Sequence, residues 1–98
     1  MSSHRLSAIQ KDTLYVLSLL EAKMGSTPFN IMKLLEIINK ARVSPVHPNN
    51  FRASIHTLCR HHYLDKYRDT SLNLAVTLTD KGQLKATGIA QKRNCIDV

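Results

Sequence analysis

Pro45 and Pro48 interrupt the middle of this 98-residue chain, and they constrain its fold more than any other feature. Each proline disfavours the α-helical region for the residue before it, so a helix is not expected to run through residues 43–48, Val-Ser-Pro-Val-His-Pro. Apolar residues recur at helical spacing on both sides of this segment. The sequence therefore predicts two helices joined by a short turn.

The helix before the turn is expected to open at Thr27 and Pro28, with the threonine as N-cap and the proline in the first turn. The helix after the turn is expected to start near Pro48. Its two sides differ in character. The inward side is expected to hold Phe51, Ile55, Leu58, Cys59 and His62, and the outward side Asn49, Arg52, Ala53, His56, Thr57 and Arg60.

An earlier helix is marked by a capping box at residues 7–10, Ser-Ala-Ile-Gln, and by Gly25 as its stop. One apolar stripe, containing Leu6, Thr13 and Leu17, is expected to face the core. Three residues fall outside that stripe and form a possible dimer surface: Leu14, Tyr15 and Leu19. The alternative is that Leu84 and Ile89 of the last helix cover this surface within the subunit.

After His62 the period of the sequence changes from helical to strand-like. Residues 63–67 indicate a short strand and residues 68–71 a turn. From Leu72 to Leu78 apolar residues alternate with Asn, Ala and Thr, which is typical of a half-buried strand. Thr79 can cap a closing helix that Gly88 ends. We expect an N-terminal arm at 1–6, a domain at 7–88 and a flexible tail at 89–98.

The distribution of charge indicates the kind of partner. The net charge is +7, and no acidic residue lies between Glu36 and Asp65, a stretch that includes the turn and the helix after it. A positive surface on a helix, turn, helix and hairpin is expected to bind a polyanion, and double-stranded DNA is the leading candidate. No apolar run is long enough to span a bilayer, so a membrane partner is not expected.

This order of elements resembles the winged helix-turn-helix fold, and in particular the MarR- and PadR-type transcriptional regulators. The matching segments are 51–58, 63–66 and the Leu-Thr-x-x-Gly segment at 78–82. The resemblance covers about residues 7 to 88. It implies an α+β fold, mainly α, with three helices, a β-hairpin wing and a short C-terminal helix. The wing turn is short, and the long terminal dimerisation helices of MarR proteins have no counterpart here.

The resemblance implies a small transcriptional regulator that binds specific sequences of double-stranded DNA. A helix at about 48–61 would read the major groove, and a wing at about 64–78 would contact the backbone or minor groove. By residue type, the candidates for base reading are Asn49, Asn50, Arg52, Ala53 and His56. The candidates for phosphate or wing contacts are Lys40, Arg42, Thr57, Arg60, Lys66 and Arg68.

Other functions are less well supported by the sequence. Cys59 and His62 are about one helical turn apart, but both fall on the predicted inner side, so we expect no metal site. The acidic residues are scattered and no catalytic motif is present, so we expect neither an enzyme nor a cofactor. A winged helix that binds protein or RNA, or assists replication, remains the alternative. We expect a weakly held homodimer in the cytoplasm, associated with the nucleoid if the source is bacterial.

Overall fold

The computed structural model describes residues 6–25, 27–68 and 70–96, with side chains as far as Lys92. Within these ranges the chain forms an α+β winged helix with four helices and one three-stranded antiparallel sheet. The elements follow the order α1 (Ala8–Met24), β1 (Phe29–Asn30), α2 (Ile31–Lys40), α3 (Pro48–Arg60), β2 (Leu64–Arg68), β3 (Leu74–Leu78) and α4 (Asp80–Ile96). The order of strands in the sheet is β1-β3-β2.

Helix α1 begins at the predicted capping box. The Ser7 amide donates to Gln10 Oε1 at 3.0 Å, and the Gln10 amide donates to Ser7 Oγ at 3.2 Å. Two of the amides that the first turn leaves without helical partners are thereby satisfied. The helix ends at Gly25, whose φ of 84° lies in a region that glycine tolerates better than other residues. Both predicted ends of α1 are confirmed.

Helix α2 begins three residues later than predicted. Asn30, not Thr27, is its N-cap, and Asn30 Oδ1 accepts from the amide of Met32 at 2.8 Å. Phe29 and Asn30 instead pair with Val76 and Ala75 of β3, which holds the backbone in an extended conformation. Sheet pairing thus overrides the helix-start signal of Thr27 and Pro28.

Strand β3 is the central strand of the sheet, with β1 on one side and β2 on the other. Residues Ala75 to Leu78 are all buried, so the prediction of a strand with one exposed face was wrong. The strand also starts at Leu74 and not at Leu72. A central strand that is packed against helices loses the alternation that an exposed face would impose.

The core forms where α1, α2, α3 and the sheet meet. Phe51, Ile55 and Leu58 of α3 are fully buried, as the predicted inward side requires. Leu14 and Leu17 of α1 are also 0% exposed. Burying a side chain of this size contributes about 1.5–3 kcal/mol. Leu14 is therefore a core residue, and the expectation that it lies on an exposed pairing surface was wrong.

Helix α4 is longer than predicted and continues through Gly88 to Ile96. Ala86 and Ile89 are buried, and α4 packs along α1. A glycine inside a helix is unfavourable by only about 1 kcal/mol, which the burial of an isoleucine offsets. The flexible tail predicted at 89–98 is therefore helical to Ile96, and residues 97 and 98 lie outside the described residues. Of the predicted N-terminal arm only Leu6 is described, and it is buried.

The start of α4 is fixed against the turn between α3 and β2, a contact that we name the α4 junction (Thr79, Lys81 and Gly82 against His61, His62 and Tyr63). Thr79 Oγ1 donates to the carbonyl of His62 and accepts from the Gly82 amide. Lys81 Nζ donates to the His61 carbonyl at 2.9 Å and lies 4.6 Å from the centroid of the Tyr63 ring. The predicted capping role of Thr79 is confirmed.

Candidate nucleic-acid interface

The outward side of α3 lies at the surface, as predicted. Asn49, Asn50, Arg52 and Ala53 are exposed, and His56 is half-buried. His47 is the N-cap of α3, and its Nδ1 accepts from the Asn49 amide at 3.1 Å. Pro48 occupies the first turn, where its missing amide proton would have had no helical partner.

The turn before α3 is held by one side chain of α2. Asn39 Nδ2 donates to the Val46 carbonyl at 3.3 Å, and Asn39 Oδ1 accepts from the Val46 amide at 2.9 Å. Val46 itself is buried in the core. These contacts orient α3 relative to α2. The sequence pattern did not single out Asn39, because its partner is seven residues away in a turn with no regular spacing.

Four of the predicted cations, from two elements, influence the pKa of His56. Arg52 and Arg60 belong to α3, and Lys66 and Arg68 belong to β2. Burial is the largest cause of the lowered pKa of His56, and the positive charges of Lys66, Arg52, Arg68 and Arg60 lower it further. We name this surface the basic face: Asn49, Asn50, Arg52, Ala53, His56 and Arg60 of α3 with Lys66 and Arg68 of β2.

A groove of about 280 Å³ crosses the basic face between three elements. The first turn of α2 contributes Asn30, Ile31 and Met32, and α3 contributes Arg52 and His56. The wing closes the groove with Arg68, Leu72, Asn73 and Leu74. Sequence reasoning missed the contribution of α2, although an asparagine before an apolar helical pattern is itself an N-cap signal that would have identified Asn30.

Most cations of the basic face have no ion pair or hydrogen bond among the residues that the structure describes. Among the described residues, Arg52, Arg60 and Lys66 have no hydrogen bond or ion pair with a protein group. Arg68 directs one hydrogen bond inward, from Nη1 to the Leu72 carbonyl at 3.0 Å. Like charges held together without acidic partners create a positive potential that attracts an anionic partner.

Three of the residues predicted to contact phosphate, Lys40, Arg42 and Thr57, lie outside the groove. Arg42 Nη1 forms an ion pair with Asp12 of α1 at 2.9 Å, and its Nε donates to the Ser44 carbonyl. The hydroxyl of Thr57 donates to the Ala53 carbonyl at 3.0 Å, within α3. Lys40 is exposed in the last turn of α2 but does not line the groove. Arg60, Lys66 and Arg68 all contribute to lowering the pKa of His56, whereas Lys40 and Arg42 are not among the charges that do so.

The possible dimer surface is reduced by the burial of Leu14. Tyr15 is half-buried, and Leu19 is 50% exposed. The alternative that α4 covers this region holds for Ile89, which is buried, but not for Leu84, which is 77% exposed. Apolar side chains thus remain at the surface of both α1 and α4.

Metal binding, thiol chemistry and membrane insertion have little structural support in the described residues. No group of three His, Cys, Asp or Glu side chains is placed there to hold a metal ion. Burial raises the pKa of the half-buried Cys59 thiol, with Asp65 adding to that effect and Lys66 opposing it, so the thiolate is disfavoured. No helix in the described part of the chain has the length and apolar character to cross a membrane.

Comparison with solved structures identifies similar folds. The chain is similar to MepR, a transcription regulator of the Staphylococcus aureus multidrug efflux pump MepA, with a TM-score of 0.74 and 12% identity over 94% of this chain and 61% of MepR. It is also similar to SSV1 F-93, with a TM-score of 0.68 and 14% identity over 98% of this chain and 97% of that protein.

No family model matches the sequence, and no curated protein matches it. The chain spans about 61% of the length of MepR. At identities of 12% and 14%, these similarities establish the fold and not the activity. The chain thus has the winged-helix fold that the sequence pattern predicted.

Proposed function

We propose that this protein binds specific sequences of double-stranded DNA and acts as a small transcriptional regulator. The observation that carries the proposal is the basic face, where cations of α3 and β2 surround His56 closely enough to lower its pKa and form no ion pair among the described residues. One structure of similar fold, MepR, is described as a transcription regulator. A binding role is favoured because the surface offers positive charge and exposed hydrogen-bond donors.

In this proposal α3 reads the bases. The major groove is about 12 Å wide and admits one α-helix, whose outward side chains contact the base edges. Arg52 can pair with guanine through two hydrogen bonds, and Asn49 or Asn50 can pair with adenine in the same manner. His56 can donate or accept one hydrogen bond. Ala53 has a short side chain in the middle of the outward side of α3, so the helix backbone can approach the bases closely.

The sugar–phosphate backbone of one strand would follow the groove between α3 and the wing. Lys66 and Arg68 project from alternate positions of β2 and therefore from one face of it. They would contact phosphates together with Arg60, which positions the protein without reading sequence. Lys40 would make a separate phosphate contact from the end of α2. Arg42 is assigned a structural role, because its guanidinium is already paired with Asp12.

Selection of bound sequences from a random duplex library tests the proposal directly. The expected result is a short enriched motif, and two inverted copies at fixed spacing if the protein binds as a dimer. Affinity should also fall steeply with salt, with a slope of about −0.9 for each phosphate neutralised. Absence of an enriched motif together with affinity that does not change with salt would contradict the proposal.

Assembly is a separate part of the proposal. We expect a weakly held homodimer in the cytoplasm, paired through Tyr15 and Leu19 of α1. Light scattering at micromolar concentration measures the assembly state, and Leu19→Glu should yield a monomer because an ionised side chain resists burial. A wild-type protein that is monomeric and binds one half-site as tightly as an inverted pair would exclude the dimer.

A further inference from the structure

Helix α4 has one face that is exposed along its described length. Its inner side holds Ala86 and Ile89, which are buried where α4 packs along α1 and β3. Residues three or four positions apart share a face of a helix, and four such residues lie away from the inner side and are exposed. We name them the outer face of α4: Leu84, Lys85, Gly88 and Lys92.

The apolar part of the outer face combines a projecting side chain with an open place beside it. Leu84 is 77% exposed. One turn further along, a Cβ added to Gly88 would meet no atom within 4 Å. A glycine inside a helix is less favourable than alanine by about 1 kcal/mol, but it lets another backbone approach closely. Leu84 and Gly88 together thus offer a site against which a second helix can pack.

The charged part of the outer face has one sign. Lys85 and Lys92 flank Gly88, and neither forms an ion pair among the described residues. The acidic residue of α4, Asp80, lies in its first turn, a full turn before Leu84. The positive charge around an apolar site favours a partner that carries carboxylates around an apolar residue.

Two other occupants fit this surface less well. A second copy of the chain that used the same face would place its lysines against Lys85 and Lys92, and like charges in an interface are unfavourable. Duplex DNA is expected at the basic face, which belongs to α3 and β2, whereas α4 packs along α1 and β3. The outer face of α4 is therefore a surface separate from the basic face.

We propose that the outer face of α4 docks an acidic amphipathic helix of another protein. The apolar side of that helix covers Leu84 and packs against Gly88, and its carboxylates pair with Lys85 and Lys92. The docking goes beyond the DNA-binding function proposed above and does not depend on it. It gives the protein a second partner while α3 remains available to DNA.

A synthetic helical peptide of about 18 residues serves as the probe, with leucine and alanine on one side and glutamate on the flanks. Fluorescence anisotropy of the labelled peptide gives its Kd, and amide NMR shifts of the protein locate its site. We expect shifts in the outer face of α4. A peptide with glutamine in place of every glutamate should bind at least about tenfold more weakly, because the charge pairs are lost.

Substitutions in the outer face test the apolar contact. Leu84→Gln should raise the Kd of the peptide about fivefold, because the apolar anchor is lost. Gly88→Leu should raise it by a similar factor, because the new side chain fills the place where the partner helix packs. Leucine favours the helix over glycine, so the denaturation midpoint of Gly88→Leu should rise. Weaker docking by a more stable protein separates this role from loss of folding.

A charge-matched pair of variants tests the position of the lysines. Lys85→Glu should raise the Kd of the peptide about fivefold. Lys33→Glu, at an exposed position of α2, changes the net charge equally and should leave the Kd within about twofold. Equal weakening by the two variants would overturn the proposal, since it would show attraction by net charge alone.

The NMR shifts provide the remaining contradictory outcomes. Shifts confined to Arg52, His56 and Lys66 would place the peptide on the basic face and overturn the proposal. So would shifts at Leu84 and Gly88 that grow with protein concentration in the absence of the peptide, which would show a second copy of the chain as the occupant. Shifts at Leu84 and Gly88 caused by a mixed-sequence DNA duplex and not by the peptide would likewise overturn it.

Discussion

The basic face and the α4 junction contain similar residues but use them in opposite ways. At the α4 junction, Lys81 donates to the His61 carbonyl and lies over the ring of Tyr63. On the basic face, Arg52 and Lys66 have no partner within the described part of the subunit. The difference lies in the intramolecular partners and not in the residue types. A cation that is already paired stabilises the fold, and an unpaired cation remains available to an anionic partner.

The α4 junction is where we expect a small substitution to lower the free energy of unfolding most. At the α4 junction, a Cβ added to Gly82 would overlap the carbonyl oxygen of Tyr63, and both groups belong to the backbone. Gly82→Ala should therefore lower the free energy of unfolding by about 3 kcal/mol, at the upper end of the range for overpacking. Urea denaturation followed by circular dichroism measures this change.

Gly88→Ala in the same helix is the matched control. A Cβ at Gly88 meets no atom within 4 Å, and alanine favours the helix over glycine by about 1 kcal/mol. The control should therefore raise the free energy of unfolding. If both substitutions stabilised the protein, the close contact between α4 and the α3–β2 turn would be refuted.

Removing one cation from each region tests the comparison itself. Arg52→Ala should weaken binding by about 1–3 kcal/mol at particular base pairs if Arg52 makes a bidentate contact with a base. Its effect on the free energy of unfolding should stay within about 0.5 kcal/mol, because an exposed side chain without partners is lost. Binding is measured by fluorescence anisotropy on the selected duplex and on duplexes with single base-pair changes.

Lys81→Ala should have the opposite profile. Losing the cation–π contact and the hydrogen bond to His61 should lower the free energy of unfolding by about 0.5–1 kcal/mol. DNA affinity should change little, since Lys81 is directed at groups within the subunit. If Lys81→Ala weakened DNA binding as much as Arg52→Ala, intramolecular pairing would not distinguish structural cations from binding ones.

Much of the fold could be predicted because its signals are local. The capping box of α1 and the proline in the first turn of α3 both act within one turn of the start of their helix. The missed features depend on distant parts of the chain. Strand β1 is only two residues long and exists because Phe29 meets Val76 in the sheet. Helix α4 continues past Gly88 because packing along α1 buries Ile89.

The exposure of the candidate site residues could be predicted in part, but their intramolecular contacts could not. The exposed positions of α3 were correctly placed because helical periodicity separates its two sides. Arg42 was assigned to phosphate because its partner, Asp12, lies 30 residues earlier and no pattern connects them. Leu72 was assigned to a strand because it continues the alternation, whereas the strand starts at Leu74. Its exposure and backbone conformation follow from the shape of the wing loop.

The pH dependence of DNA binding provides a further test of the basic face. Burial and the four surrounding cations lower the pKa of His56 in the free protein, so the imidazole is mainly neutral at pH 7. Phosphates near Arg52 and Lys66 would oppose these charges and raise that pKa. Binding would then take up protons, and affinity should increase as the pH falls from about 8 to 6, by at most tenfold per pH unit.

His56→Gln should reduce this increase in affinity, whereas His62→Gln at the α4 junction should not. The stability of the fold depends on pH in the opposite direction from DNA affinity. Because the pKa of His56 is lowered in the folded state, its contribution to stability is present above about pH 6.5 and is lost as the pH falls through the lowered value. An unchanged pH profile in His56→Gln would mean that DNA does not reach this part of α3.

The smallest expected effect concerns His62, a residue of the α4 junction that has a positive φ although it is not a glycine. His62 has a φ of 66° directly after α3, where its amide donates to the Cys59 carbonyl at 3.0 Å and the Tyr63 amide donates to the Leu58 carbonyl at 2.9 Å. This pattern is a Schellman motif, in which glycine is preferred.

His62→Gly should therefore raise the free energy of unfolding by about 0.5 kcal/mol, since relief of backbone strain exceeds the added freedom of the unfolded chain. DNA affinity should not change, because the backbone of His62 serves the α4 junction. If His62→Gly weakened DNA binding, the α4 junction and the basic face would not be functionally separate.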